Sequence, residues 1–107
     1  MALESKFQKE LKAKLRRMFP GCILLKGASD QIQGIPDLII IWQNKYAFLE
    51  VKRSATEVHQ PNQDYYVDFL NDWSFAAFIY PENKEKILDE LQSAFGARRS
   101  SRIPVRV

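Results

Sequence analysis

Two apolar runs separated by three polar residues constrain this chain more than anything else in it. Within residues 34–53, reading GIPDLIIIWQNKYAFLEVKR, the runs 38–42 and 46–49 flank Gln43, Asn44 and Lys45. That is the pattern of a β-hairpin with a short polar turn. Both runs are apolar at successive positions, as strands buried on both faces are. The few charges gather at one end. Asp37 follows Pro36 at the mouth of the first strand, and Glu50 and Lys52 flank Val51 at the end of the second, where the strand ends meet. Charge is costly at that place unless something pairs with it.

Register decides whether the two acids can share a ligand, since a slip of one residue sends one of them to the other face. A two-residue turn at Gln43 and Asn44 pairs Trp42 with Lys45, and hence Asp37 with Glu50 on one face. A turn at Asn44 and Lys45 keeps them on one face as diagonal neighbours, and a three-residue turn separates them unless a bulge restores the phase. Directly opposed residues have Cβ atoms about 5 Å apart, and Mg²⁺ takes oxygen ligands at about 2.1 Å. In the first two registers both carboxylates therefore reach one ion. Lys52 follows Glu50 by two positions and shares its face.

In that arrangement Asp37 and Glu50 hold a divalent cation, the Val51 carbonyl is a further candidate ligand, and Lys52 orients or deprotonates a water beside it. Phosphodiester hydrolysis needs these parts. A metal offsets charge developing on the phosphoryl oxygens and lowers the pKa of its water, and a lysine adds positive charge without a second ion. The plainer alternative is an exposed ion pair between Glu50 and Lys52, the usual fate of an E-x-K on a strand. The Pro-Asp at the facing strand end shifts the balance toward the metal.

Pro36-Asp37, an apolar strand, a short turn and Glu50-Val51-Lys52 resemble the PD-(D/E)xK nuclease superfamily. The small size is most similar to its virus-type replication-repair nuclease and Holliday junction resolvase branches. The resemblance runs from Glu4 to about Leu91. It implies a restriction-endonuclease-like core, Mg²⁺ or Mn²⁺ as cofactor and DNA as substrate, with catalysis on Asp37, Glu50 and Lys52. An acid from the first helix, here Glu4, often completes the metal site in this family. Lys26-Gly27-Ala28-Ser29 resembles the serine-bearing loop that small resolvases carry before the first acid. Gln63 fits the glutamine that virus-type members carry in the helix after the lysine. Where those members place a glycine before the next strand, this chain has Asp72-Trp73. Lys26, Ser29, Arg53 and Gln63 are the expected phosphate contacts. Resolvase-like members take branched DNA and cut two opposed strands, which requires two active sites and implies a symmetric homodimer.

A length of 107 residues suits one domain with a real core. With 46% hydrophobic and 27% charged residues the chain reads as globular. No run approaches a membrane span, and the amino end lacks the basic-then-apolar order of a signal peptide, so an intracellular protein without a membrane partner is expected. Cys22 is the single cysteine and lies in an apolar run, which favours a buried, inert thiol. His59 is equally solitary. One cysteine and one histidine cannot build a tetrahedral zinc site, leaving oxygen ligands and a hard cation.

Leu3, Phe7, Leu11, Leu15 and Met18 recur at helical spacing and stop at Pro20-Gly21. Glu4 flanks that stripe, where it either points at the sheet or complements the helix dipole. The other face carries Lys6, Lys9, Lys12, Lys14, Arg16 and Arg17, and such a charge run is usually a solvated face. Residues 22–26 read as a strand and 27–34 as a loop. Gln60-Pro61 opens a second helix whose face is Tyr65, Tyr66, Phe69 and Leu70. Residues 75–80 form an aromatic strand, and Ile87, Leu88, Leu91 and Phe95 the stripe of a last helix capped by Gly96. The order α-β-β-β-α-β-α predicts an α/β fold, a mixed central sheet flanked by helices.

Charge is uneven. Residues 1–19 carry a net +4, residues 20–96 a net −5 and residues 97–107 a net +4, the last from Arg98, Arg99, Arg102 and Arg106 with no acid. The expected organisation is a domain over 1–96 and a basic, flexible tail over 97–107 whose Arg98 and Arg99 contact DNA. The expected function is a metal-dependent endonuclease hydrolysing DNA phosphodiester bonds, selective for branched structures such as a Holliday junction if the resolvase analogy holds. The alternative from another class is a nucleic-acid-binding module of the same fold that has lost hydrolysis.

Overall fold

The hairpin forms in the first of the registers considered. In the computed structural model, which describes residues 4–96, strand β2 (Leu38–Trp42) pairs antiparallel with β3 (Lys45–Val51), matching Trp42 with Lys45 and Leu38 with Leu49. Gln43 takes a left-handed φ of 59° in the two-residue turn, the positive φ that tight hairpin turns need at their first central position. Residues 1–3 and 97–107, and with them the assignments to Arg98 and Arg99, lie outside the described residues.

Around the hairpin the elements follow the expected order. Helix α1 (Lys6–Met18) and strand β1 (Ile23–Lys26) precede it, and helix α2 (Gln63–Trp73), strand β4 (Phe75–Ile79) and helix α3 (Lys84–Phe95) follow. The sheet runs β1-β2-β3-β4, with β1 antiparallel to β2 and β4 parallel to β3. Two strands that run parallel need a crossover, and α2 supplies it. The fold is therefore α/β, with an open, mixed four-stranded sheet and three helices.

Alternation along the strands gives each face its partner. Leu38 and Ile40, Ala47 and Leu49, and Ile79 turn to one face, where they form one core with Leu11 and Leu15 of α1, Phe19, and Ile87, Leu88, Leu91 and Phe95 of α3. Phe19 is fully buried just past the α1 end. Its ring lies 5.1 Å from both Trp42 and Phe95, closing the core at the hairpin-turn end. Trp42 Nε1 donates to Pro20 O at 2.9 Å, which ties the turn after α1 to the sheet. Half-buried Cys22 sits by the same helix, and burial pushes its thiol pKa up.

The opposite face is covered only in part. Helix α2 lies over β3 and β4. Of its expected apolar face Leu70 is buried and Tyr66 half-buried, whereas Tyr65 and Phe69 are exposed, as is Trp73 one turn further on. Tyr65 stacks on Phe69, and Phe69 meets Trp73 at a tilt of 56°, so the three rings form a row along the helix. On β1, Ile23 and Leu25 are 54% and 45% exposed beside their ladder partners Ile41 and Ile39. One helix, about 10 Å across, covers about two strands spaced at 4.8 Å, so the apolar composition of β1 and β2 exceeds what the described residues cover. Among the described residues no helix is long and apolar enough to cross a membrane.

Helix α2 also starts later than Gln60-Pro61 suggests. Asn62 takes a left-handed φ of 70° and is the residue before the first helical one. The reason is a close approach. Gly34, at φ +94°, packs so near that a Cβ built on it would lie 2.5 Å from the Asn62 Cβ. The loop after β1 thus fixes where α2 begins, and so fixes Gln63.

Candidate active site at the open end of the hairpin

Asp37 and Glu50 fall one step beyond the last hairpin pair, Leu38 with Leu49, so the register sets them opposite each other on the α2 face. Asp37 Oδ1 accepts the backbone N–H of Val51 at 3.1 Å, extending the ladder by a side chain. On its other side Gly27 N donates to Asp37 O at 2.9 Å. Only glycine fits there, because a Cβ on Gly27 would lie 1.9 Å from Pro36 O. Both neighbours of β2 therefore hold Asp37 in place.

Glu50 and Lys52 are the two buried charged residues among the described ones, each 4% exposed. They are joined by an amide rather than by an ion pair. Gln63 Nε2 donates to Glu50 Oε2 at 2.8 Å, and Gln63 Oε1 accepts from Lys52 Nζ at 2.6 Å and from Gln60 N at 2.8 Å. Lys52 Nζ also donates to Val58 O at 3.3 Å. The second Glu50 oxygen, Oε1, is buried without a hydrogen-bond partner.

Burial, reinforced by the Asp37 charge, pushes the Glu50 pKa up to about 8. Burial likewise raises Asp37, against the opposing effect of the Val51 N–H. Two carboxyls opposed in a poorly solvated place cannot both ionise cheaply. A bound cation reverses that cost, since opposite charge within about 4–6 Å favours the ionised form. A buried carboxylate oxygen without a partner, opposite a second acid, is a donor set of the kind hard divalent cations take, so Asp37 and Glu50 fit Mg²⁺ or Mn²⁺ as oxygen donors.

A cleft of about 320 Å³ opens beside Asp37. Asp37, Val51, Lys52 and Arg53 form one wall, and Phe7 and Gln8 of α1 face them. Arg53 is exposed at its rim, with Nε 3.6 Å from Glu57. Gln63 is thus bonded inside the cluster rather than standing at its surface. Lys26 ends β1 opposite Leu38, one step from Asp37, with its side chain exposed, and Ser29 is exposed in the following turn. Glu4 is elsewhere. It precedes the helix, whose N-cap is Ser5, and pairs with Lys12, which lowers its pKa. No group of three His, Cys, Asp or Glu placed to hold a metal occurs among the described residues, so Glu4 does not complete a triad with Asp37 and Glu50.

One pair has no counterpart in the sequence reading. His59 Nδ1 lies 2.7 Å from Asp64 Oδ1, and the imidazole stacks on Phe78 at 4.1 Å. Its solitary position in the chain hides this, because the pairing depends on the left-handed bend at Asn62 that turns the chain between the two. Searches against models of known families, curated proteins and solved structures gave no match to this chain.

Proposed function

We propose that this chain is a Mg²⁺- or Mn²⁺-dependent endonuclease that hydrolyses phosphodiester bonds in DNA, with a restriction-endonuclease-like core of the PD-(D/E)xK type. The observation that carries the reading is the Glu50 carboxylate, buried opposite Asp37 with one oxygen unpartnered and its pKa near 8. Asp37 and Glu50 hold the ion, and Val51 lines the same wall. When bound, the ion supplies a water of lowered pKa and positive charge against the phosphoryl oxygens.

The chain's own residues do the positioning. Lys52 has three N–H donors, of which Gln63 Oε1 and Val58 O take two. The third is left for a water or a phosphoryl oxygen at the cleft, where a fixed ammonium offsets developing negative charge. Gln63 keeps Lys52 and Glu50 apart and both oriented. Arg53, Lys26 and Ser29, exposed around this end of the sheet, are placed to meet phosphates on either side.

A homodimer supports two opposed cuts, and the uncovered sheet face offers it a surface. Tyr65, Phe69, Trp73 and Tyr46 are 59%, 38%, 61% and 39% exposed. At about 200 Å² per aromatic side chain they alone leave roughly 400 Å² open. Ile23 and Leu25 extend that area toward the roughly 800 Å² per partner of a stable interface. An exposed aromatic row on α2 beside a half-sheet that the described residues cover only in part suits a two-fold axis, each α2 covering the other copy's β1 and β2. Asp64, Asp68 and Asp72 lie along the same helix, which disfavours DNA there.

Incubating the full chain with Mg²⁺ and, in parallel, linear duplex, a flap and a four-way junction tests the reading. Mg²⁺-dependent cutting with the junction preferred supports it. Binding without cutting in either metal favours the non-hydrolytic module.

A further inference from the structure

The loop between Lys52 and α2 is anchored to the acid cluster on both sides of one residue. Val58 O accepts from Lys52 Nζ, and Gln60 N donates to Gln63 Oε1. His59 lies between them. Its ring is fixed twice over, by stacking on Phe78 at 4.1 Å and by Asp64 at Nδ1, while the side chain stays 37% exposed. Phe78 is the ladder partner of Glu50, so one strand spacing, about 4.8 Å, and one ring stack separate the imidazole from the column that carries Glu50. Nε2 has no hydrogen-bond partner among the described residues.

An imidazole held in a single orientation with one nitrogen open, next to a site that takes a polyanion, has a definite use. Acids dominate this end of the sheet, since Asp37 and Glu57 both act on Glu50, Asp64 holds the ring and Lys52 is buried. We propose that His59 contacts a phosphate oxygen of the substrate strand adjacent to the phosphate that is cut. The ring meets Asp64 through Nδ1 and the phosphate through an N–H at Nε2. Asp64 acts as a positioning residue, aligning the ring across the face of Phe78. This rests on the nuclease reading above, and it adds a substrate contact outside the acids, Lys52 and Gln63.

The test is single-turnover cleavage by the full chain of the DNA that the wild type cuts, with one phosphate at a time replaced by a neutral methylphosphonate around the cut. His59→Asn keeps an N–H near the Nδ1 position for Asp64 and removes Nε2. It is expected to raise the half-saturating enzyme concentration about tenfold, the scale of one charge-assisted hydrogen bond, with its melting temperature and its rate at saturation unchanged. At one phosphate beside the cut, neutralisation costs the wild type a similar factor and costs His59→Asn nothing more. If His59→Asn binds like wild type, or if every neutralisation adds fully to the mutation, His59 is only a clasp for the loop and the inference is overturned. If His59→Asn melts early, His59→Arg decides, since a guanidinium rescues binding only where a phosphate is met. A wild-type chain that cuts nothing overturns the nuclease reading and this inference with it.

Discussion

Lys52 Nζ is bonded to the amide of Gln63 at 2.6 Å and to no carboxylate. Neutral acceptors hold this ammonium, so its place does not depend on whether Glu50 is ionised. Gln63→Leu removes both bonds at similar volume and leaves a buried ammonium and a buried carboxyl short of partners. The expected cost is about 2 to 4 kcal/mol of unfolding free energy, read from urea denaturation. A loss under about 0.5 kcal/mol would mean that the amide is incidental.

Stability of the metal-free protein should fall with rising pH. Glu50 has a folded pKa of about 8 against an ordinary value of 4.5. The folded state thus binds more protons than the unfolded state across that window, and unfolding free energy declines as pH rises through it. Asp37 is shifted the same way. Melting curves from pH 5 to 8 should therefore slope downward for wild type and less steeply for Glu50→Gln. Mg²⁺ should stabilise wild type more at pH 8 than at pH 6, because at the lower pH it must displace a proton. Parallel slopes for the two proteins would contradict the assignment of the shift to Glu50.

Gly34→Ala probes the buttress behind Gln63. The position combines φ +94° with a Cβ contact of 2.5 Å to Asn62. Strain and overlap together should cost about 2 to 4 kcal/mol and displace the start of α2. Gly21, also at positive φ but with nothing near its Cβ, should cost only about 1 kcal/mol as alanine. Equal melting temperatures for the two variants would show that the contact yields easily.

The proposed dimer makes its own prediction. Phe69→Glu places a charge in the middle of the exposed aromatic row of α2. Wild type should sediment as a dimer and Phe69→Glu as a monomer with an unchanged circular dichroism spectrum. A monomeric wild type at micromolar concentration would remove α2 as an interface.

The hairpin and the order of elements were legible because they rest on local rules, alternation and glycine or proline at the breaks, whereas the choice among three turn registers came only with the pairing of Trp42 and Lys45. Ile87, Leu88, Leu91 and Phe95 likewise read directly as a buried stripe. Periodicity could not say that Tyr65 and Phe69 stay exposed, since it reports an apolar face and not whether the chain has a surface to cover it. Glu4 was set in the first helical turn from its spacing to Phe7, but Ser5 is the cap and Lys12 holds the acid. The amide bridge of Gln63 and the pairing of His59 with Asp64 depend on the left-handed bend at Asn62. That bend answers to a glycine 28 positions away in the chain, a contact no local pattern contains.

The most direct measurement is the Mg²⁺ dependence of DNA cleavage by wild type, Asp37→Asn, Glu50→Gln and Lys52→Met in one assay, with folding checked by circular dichroism. Wild type should cut only with the metal. Each acid variant should remain folded, bind DNA and lose at least about a thousandfold in rate, comparable to removing a principal electrostatic contributor to catalysis. Lys52→Met should lose about a hundredfold or more while still binding the metal. Cleavage retained near the wild-type rate by both acid variants, or wild-type cleavage indifferent to a chelator, would contradict the account.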